Sequence, residues 1–296
     1  NKETADSVNA LFETIPTVLN TTLTNDNFSL LYDRIISLGE LASTRIVSDN
    51  LNAIGLKCQW MDARELIRTD STFREAIVNW EYTCLNTKRK LKPLLNESLV
   101  LTQGFIGADV NNNTTTLGRE GSDFSAAILA FCLDAKEVVI WKDVEGVLNA
   151  DPKRMPSALP YQEAAEMTYY GATVIHPKTI KPLANKKIPL WVKPFGNLSG
   201  AGTCIHDCSP KKLPPAIIFK PNQCLLSFRT KDLSFVDEHH LSHIFQVVDS
   251  LNIKLNLMQN SATSFSICID QNANVPALIE SLKPYFDIYF NETLEL

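Results

Sequence analysis

The sequence lacks the features that mark membrane, secreted and nucleic-acid-binding proteins. No apolar run in its 296 residues approaches the ~20 residues needed to cross a bilayer. The chain does not open with a basic segment followed by an apolar stretch, so we expect a cytoplasmic protein. Its net charge of -5 disfavours nucleic acid and anionic membrane surfaces as partners.

Matched cysteine pairs are also lacking. The seven cysteines are an odd set with mostly long spacings, and several, such as Cys132, lie inside apolar runs. They are therefore predicted to be reduced, mostly buried thiols. Cys204 and Cys208 flank His206, but no second pair has zinc-ligand spacing, so no metal site is predicted.

What the chain does contain is the composition of a soluble two-domain protein, with 45% apolar and 21% charged residues. Strand and helix patterns alternate up to the proline- and lysine-rich segment 208–215, which predicts an α/β domain over 1–207 and a linker. Residues 216–296 then follow the order βαββαβ, which predicts a ferredoxin-like domain.

The segment 114–123 is the strongest candidate site. An apolar strand at 98–107 precedes it, two glycines frame Arg119, and an apolar helix is predicted from Gly121 to Leu133. Unpaired N–H groups and the positive dipole end of a helix favour an anion at such a turn. Arg119 adds a fork of donors for carboxylate or phosphate, and Asp123 adds an acceptor for an ammonium group or Mg²⁺.

Other candidates have ordinary structural explanations when taken alone. Glu40 is predicted in the first turn of a helix that ends near Ile54, where an acid suits the helix dipole. Asp143 follows the apolar strand 137–141, either as part of a turn or at a ligand-binding strand end. His176 precedes a proline and is predicted to be extended and structural.

Considered in order, the motifs resemble the aspartokinases of the amino acid kinase superfamily, with a C-terminal amino-acid-sensing (ACT) domain. The resemblance covers nearly all of the chain from about residue 36, and it rests on SLGE (37–40), QGFIG (103–107), TLGREGSD (116–123), WKDVEGV (141–147), DP (151–152), EAAEM (163–167), GATVIHP (171–177) and GT (202–203). It implies an amino-acid-kinase-like sandwich with a mostly parallel central sheet.

The implied reaction is transfer of the γ-phosphoryl group of ATP, with Mg²⁺, to the side-chain carboxylate of L-aspartate. By resemblance, Arg119 would bind the substrate carboxylate, while Glu40 and Asp123 would hold its ammonium group beside Ser122. Still by resemblance, the nucleotide would lie near five residues of the second half of this domain: Lys142, Asp143, Leu148, Lys153 and Thr173.

This sequence also departs from the family pattern. The Lys-Phe-Gly-Gly-Thr-Ser-like phosphate loop is not found in residues 1–36, so we expect the chain to be a piece of a longer protein. Glu120, Leu148 and Thr173 replace residues that are commonly glycine, aromatic and lysine, and each change is expected to weaken nucleotide binding.

The ACT resemblance implies feedback regulation by lysine or threonine and a homodimer formed through ACT domains. The matching segments are the loop 230–238 and the turn that contains Asn260, Ser261 and Ser264, which could equally be polar surface turns. Two alternatives remain: a non-catalytic amino-acid-binding relic of the fold, or a different amino acid kinase.

Overall fold

A computed structural model describes residues 2–144, 158–169, 174–209, 220–232, 234–272 and 274–296. The chain divides into two compact units, 1–169 with 173–214 and 170–172 with 215–296. None of the helices in the described ranges is long and apolar enough to cross a membrane.

The first unit begins with three helices, α1 (Lys2–Phe12), α2 (Thr14–Leu19) and α3 (Asn25–Ala53). A reciprocal cap starts α3: Thr24 accepts the backbone N–H of Asn27, and the Asn27 side chain accepts that of Thr24. The predicted helix start near residues 37–41 is therefore wrong. Gly39, a possible helix breaker, lies on the exposed surface of a continuous helix, with no atom within 4 Å of the place a Cβ would take.

A two-stranded parallel sheet follows, formed by β1 (Cys58–Met61) and β2 (Leu99–Thr102). The connection contains α4 (Ala63–Leu66) and α5 (Trp80–Asn86), which continues as a π-helical turn at Thr87–Leu91 and a 3₁₀ turn at Leu94–Asn96. Residues 73–79, which precede α5, are not helical. The Asp33 carboxylate accepts the backbone N–H of Arg74, and the Thr116 carbonyl accepts that of Ala76. These two N–H groups therefore make no helical hydrogen bonds.

The predicted single strand at 98–107 is two strands. β2 ends at Thr102, and β3 (Ile106–Ala108) pairs antiparallel with β4 (Thr114–Thr116) in a separate hairpin. Between them Phe105 has a left-handed φ of 70°, which breaks the extended conformation. The apolar run gave no indication of this bend.

A four-stranded mixed sheet forms the rest of the first unit. Its order is β5-β7-β8-β6, with β5 (Val138–Lys142) parallel to β7 (Leu190–Pro194), β7 antiparallel to β8 (Thr203–His206), and β8 parallel to β6 (Ala158–Pro160). The helices α6 (Gly121–Leu133), α7 (Tyr161–Tyr169) and α8 (Pro177–Lys186) cover it. Fully buried residues such as Ile128, Leu183 and Leu190 belong to these elements.

The prediction of reduced thiols is wrong for two cysteines. Cys84 of α5 and Cys132 of α6 form a disulfide, with Cα atoms 4.6 Å apart and 48 residues between them in sequence. The packing of α5 against α6 brings the two together, a contact that the spacing could not reveal. Five cysteines are free, and four of them, all except Cys208, are buried.

The second unit has the predicted βαββαβ order. Its elements are β9 (Gln223–Thr230), α9 (Glu238–Ser250), β10 (Leu255–Asn260), β11 (Ser264–Asp270), α10 (Val275–Leu282) and β12 (Phe286–Leu294). The strands form one antiparallel sheet in the order β10-β11-β9-β12. Its core includes Leu226, Phe228, Ile267 and Leu278, all fully buried.

Candidate active site

The turn between β4 and α6 is built as the sequence predicts. Gly118 has φ +75°, and a Cβ added there would lie 3.0 Å from Glu75 Cγ, so the position suits glycine. Glu120 is left-handed as well, with φ 52°, although it carries a side chain. Helix α6 begins at Gly121, where a Cβ would meet the Phe105 ring at 2.7 Å.

The N-terminus of α6 offers polar groups that the described structure does not use. Glu120 makes no side-chain cap, so first-turn N–H groups are left for solvent or a ligand. Arg119 and Ser122 are exposed, and their side chains have no hydrogen bond or ion pair with a described residue. The turn therefore presents a guanidinium, a hydroxyl and helix N–H groups together.

A buried carboxylate that the sequence did not single out holds this turn in place. Asp33 of α3 is fully buried, and its Oδ2 accepts the backbone N–H groups of Arg74 at 2.8 Å and Thr116 at 2.9 Å. Its Oδ1 accepts the Thr116 hydroxyl at 2.8 Å. Asp33 thus joins α3 to the strand that leads into the Arg119 turn.

Gln103 makes a second connection to α3. This buried side chain accepts the Ala63 N–H at 2.8 Å and donates to Thr44 Oγ1 at 2.8 Å. Thr44 in turn donates to the backbone carbonyl of Glu40 at 2.7 Å. Because the partners of Asp33 and Gln103 are distant in sequence, they leave no local pattern, and neither structural role could be predicted from the sequence.

Glu40 lies in the middle of α3, seven positions after Asp33, and not in a first helical turn as predicted. The dipole explanation for this acid is therefore wrong, because the dipole acts only near helix ends. Burial raises the pKa of the Glu40 carboxyl. Its carboxylate has no hydrogen bond or ion pair with any described residue, and the neighbouring Leu41 packs with Ile106 and Phe105 beside the α6 N-terminus.

Asp123 forms an ion pair with Lys142 at the end of β5. Asp123 Oδ2 lies 2.7 Å from Lys142 Nζ. Burial raises the pKa of the Glu120 carboxyl. The positive charge of Lys142 lowers this pKa, and the negative charge of Asp123 raises it. A lysine and two carboxylates therefore share the space between the α6 N-terminus and β5.

Of the remaining candidates on the nucleotide side, Asp143 is among the described residues. Asp143 is exposed directly after β5, and its carboxylate pairs with no described residue. Leu148, Lys153 and Thr173 lie outside the described residues. His176 is extended, as predicted, and its Nδ1 accepts the Lys178 N–H as the cap of α8, which is a structural role.

In the second unit, the two segments predicted to bind an effector meet. The backbone N–H of Val236 in the loop 230–238 donates to the carbonyl of Ala262 at 3.0 Å. Ser261 and Ser264 share a hydroxyl hydrogen bond of 2.8 Å, and Asn260 is exposed beside them. Within the described ranges, no group of three or more His, Cys, Asp and Glu side chains could hold a metal ion.

This chain is similar to aspartokinases. Lysine-sensitive aspartokinase 3 of Escherichia coli (strain K12) is 35% identical over 248 residues, covering 81% of this chain and 55% of that protein. Aspartokinase 1, chloroplastic, of Arabidopsis thaliana is 34% identical over 250 residues, covering 80% of this chain and 43% of that protein. The chain thus spans about half the length of these curated relatives.

The fold of this chain is also similar to solved structures of an aspartokinase. E. coli aspartokinase III in complex with aspartate and ADP (R-state) matches with a TM-score of 0.83 at 30% identity, covering 98% of this chain and 68% of that chain. Its complex with lysine and aspartate (T-state) matches with a TM-score of 0.79 at 31% identity, covering 98% of this chain and 67% of that chain. These matches confirm the α/β fold class with an amino-acid-kinase-like sandwich.

The family description "Amino acid kinase family" matches residues 2–194, about two thirds of the chain. The same residues hold the glycine-framed turn, the helix α6 that it opens and the strand β5 that supplies Lys142. From its sequence and its fold alike, the chain belongs to the amino acid kinase family.

Proposed function

We propose that this chain is part of an aspartokinase, which transfers the γ-phosphoryl group of ATP to the side-chain carboxylate of L-aspartate. The observation that carries the proposal is the match, over 98% of the chain, to a structure that binds aspartate and ADP. The curated relatives named above are also aspartokinases, which does not favour a non-catalytic relic.

The aspartate side of the site is supported by the distribution of unused polar groups. Supporting groups such as Asp33 and Gln103 are hydrogen-bonded within the fold. Arg119, Ser122 and Glu40 have no described side-chain partner. Arg119 and Glu40 have the two charges that an amino acid requires, and Ser122 adds a hydroxyl. Arg119 would take the substrate carboxylate as a bidentate pair, and Glu40, together with Asp123, would take the ammonium group.

The nucleotide side fits a polyphosphate with its metal. Lys142 supplies a cation at the carboxyl end of β5, and Asp143 supplies next to it a carboxylate that pairs with no described residue. Bound MgATP would supply the phosphoryl group and the cation that neutralises it. We place Lys153 near the phosphates, and Leu148 and Thr173 beside the nucleotide. Positioning and charge stabilisation by these residues would then account for most of the catalysis.

Feedback regulation belongs to the same proposal. The loop 230–238 and the turn at Asn260, Ser261 and Ser264 would bind lysine or threonine in a homodimer formed through ACT domains. The match to an E. coli aspartokinase III complex that contains lysine favours lysine. Such an enzyme would serve lysine and threonine biosynthesis, and we place it in the cytoplasm.

A coupled ATP-turnover assay on the full-length protein that contains this chain tests the catalytic proposal. Arg119→Lys keeps the charge but loses the bidentate fork, so we expect KM for aspartate to rise at least about tenfold with an unchanged KM for ATP. Arg89→Lys, at an exposed position in the π-helical turn, is the matched control and should leave both constants unchanged. Absence of aspartate-dependent turnover in the unsubstituted protein would refute the proposal.

The effector proposal needs a measurement without turnover. Isothermal titration of the full-length protein with lysine, and separately with threonine, should give saturable heat for one of the two. Ser261→Ala removes the hydroxyl that bonds Ser264 and should weaken that binding. Ser7 is partly exposed in α1 of the first unit, so Ser7→Ala serves as a distant control. No heat from either amino acid would overturn the regulatory proposal while leaving the catalytic one in place.

A further inference from the structure

A groove on the first unit has the composition of a small-molecule site. It measures about 370 Å³, within the range of roughly 300–1,000 Å³ that ligand pockets occupy. Three helices border it, and its lining residues are Trp80, Phe124, Phe131, Lys178, Lys181, Pro182 and Asn185. None of these residues is assigned to the phosphoryl-transfer site.

The inner surface of the groove is aromatic. Phe124 and Phe131 are seven positions apart on α6 and so lie on one face of that helix. The Trp80 ring stands edge-on to both, with centroids 6.3 Å and 5.1 Å away. All three side chains are only half-buried. Lys186 Nζ lies over the Phe131 ring, 4.2 Å from its centroid. The aromatic surface that remains exposed is open to a planar ligand, which could stack or pack edge-on against it.

The rim of the groove is positively charged. Lys178, Lys181 and Asn185 recur at helical spacing along one face of α8. Lys181 and the Asn185 side chain are exposed and have no hydrogen bond or ion pair with a described residue. The lining contains no acidic side chain among the described residues, so the groove favours an anion.

We propose that this groove binds a small planar aromatic carboxylate. The ring would lie on Trp80, Phe124 and Phe131, and the carboxylate would pair with the ammonium group of Lys181 within reach of the Asn185 amide. Such a ligand matches both surfaces of the groove, because its ring packs on the aromatic inner surface and its carboxylate pairs with the positively charged rim. A neutral aromatic ring would contact only the aromatic inner surface, and a small inorganic anion would pair only with the positively charged rim.

The groove also borders the turn that carries Arg119. Lys178 Nζ donates to Glu75 Oε1 at 3.0 Å and lies 3.5 Å from the carbonyl oxygen of Leu117. An anion held at the groove would compete for Lys178 and weaken its contact with the Leu117 carbonyl. On the proposed aspartokinase function, on which this consequence rests, occupancy of the groove lowers the affinity for aspartate.

Binding can be tested with 2-naphthoate as the probe and 2-naphthamide as its neutral counterpart. Protein labelled with 5-fluorotryptophan gives one fluorine resonance for each of its four tryptophans, and Trp80→Phe identifies the resonance of Trp80. We expect 2-naphthoate to shift that resonance saturably, with the other three unchanged. Lys181→Met should weaken binding about tenfold, the effect of removing one charge-assisted contact.

Lys193→Met is the matched control, because Lys193 also lies over tryptophan rings, at 6.0 Å from Trp141 and 5.3 Å from Trp191, but outside the groove. It should leave the affinity unchanged. An unshifted Trp80 resonance, equal affinity for the amide, or equal affinity in Lys181→Met would each overturn the site. Titration calorimetry of aspartate with and without saturating 2-naphthoate tests the coupling: unchanged aspartate affinity would overturn it, whereas absence of aspartate binding without the probe would count against the proposed function.

Discussion

The buried carboxylate of Asp33 provides the sharpest test of how the candidate site is held together. It accepts three hydrogen bonds, from the N–H groups of Arg74 and Thr116 and from the Thr116 hydroxyl, and it is closed to solvent. Asp33→Ala would leave the buried backbone N–H of Thr116 and the part-buried N–H of Arg74 without their acceptor and would open a small cavity. At about 1–3 kcal/mol for each unsatisfied group, we expect a loss of about 4 kcal/mol in the free energy of unfolding.

Asp33→Asn should cost less, about 1–2 kcal/mol. The amide oxygen can still accept both backbone N–H groups, and the amide nitrogen can donate to Thr116 once its hydroxyl rotates. What this variant loses is the charge assistance of the three bonds. If Asp33 accepts several hydrogen bonds, the Asp33→Ala variant should therefore have a much lower free energy of unfolding than the Asp33→Asn variant.

Urea unfolding followed by tryptophan fluorescence is the appropriate assay, since all four tryptophans lie in the first unit. Asp49→Ala provides a control on the same helix: Asp49 is partly exposed, bonds Thr4 at 2.6 Å and lies 3.7 Å from Arg45. It should cost less than about 1 kcal/mol. An Asp33→Ala variant within about 1 kcal/mol of the unsubstituted protein would refute the assignment of Asp33 as the group that anchors the turn.

Three further predictions concern strain, titration and crosslinking. Glu120→Gly should be more stable than Glu120→Ala by about 1 kcal/mol in urea unfolding, because only glycine adopts the left-handed backbone without strain; equal stability would contradict it. Burial raises the pKa of Glu40, so its contribution to stability is full below the ordinary value of 4.5 and is lost as pH rises through the folded-state value. Glu40→Gln should accordingly exceed the unsubstituted protein in thermal stability at pH 7 and lose this advantage near pH 4. Replacing Cys84 and Cys132 by serine should lower the free energy of unfolding by up to about 4 kcal/mol under oxidising conditions, and dithiothreitol should abolish the difference.

The sequence predicts elements well where local signals agree. Helix α6 begins and ends where the glycine turn and apolar run place it, at Gly121 and Leu133. The six elements of the second unit also follow the predicted order, because each has a clear period and a polar boundary. The glycine-framed turn was recognisable for the same reason, since glycine at position 118 supplies the left-handed backbone conformation that the turn requires.

Features that depend on distant partners were not predictable. Asp33 bonds Arg74 and Thr116, which are 41 and 83 residues away, and nothing near Asp33 marks it as buried. The Cys84–Cys132 disulfide depends on how α5 packs against α6. The position of Glu40 was mistaken because Gly39 looked like a boundary, whereas the cap at Thr24 and tertiary packing carry the helix through it.

The continuity of α3 fixes a distance within the molecule. Asp33, which anchors the Arg119 turn, and Glu40, proposed for the substrate ammonium group, stand two helical turns and about 10 Å of rise apart on one rigid element. One residue gained or lost between them would rotate Glu40 by about 100° away from the turn while leaving every side chain chemically intact. The length of residues 34–39 is therefore as much a determinant of the site as any functional group, and natural variation in chain length should be confined to the loops on either side of the helix.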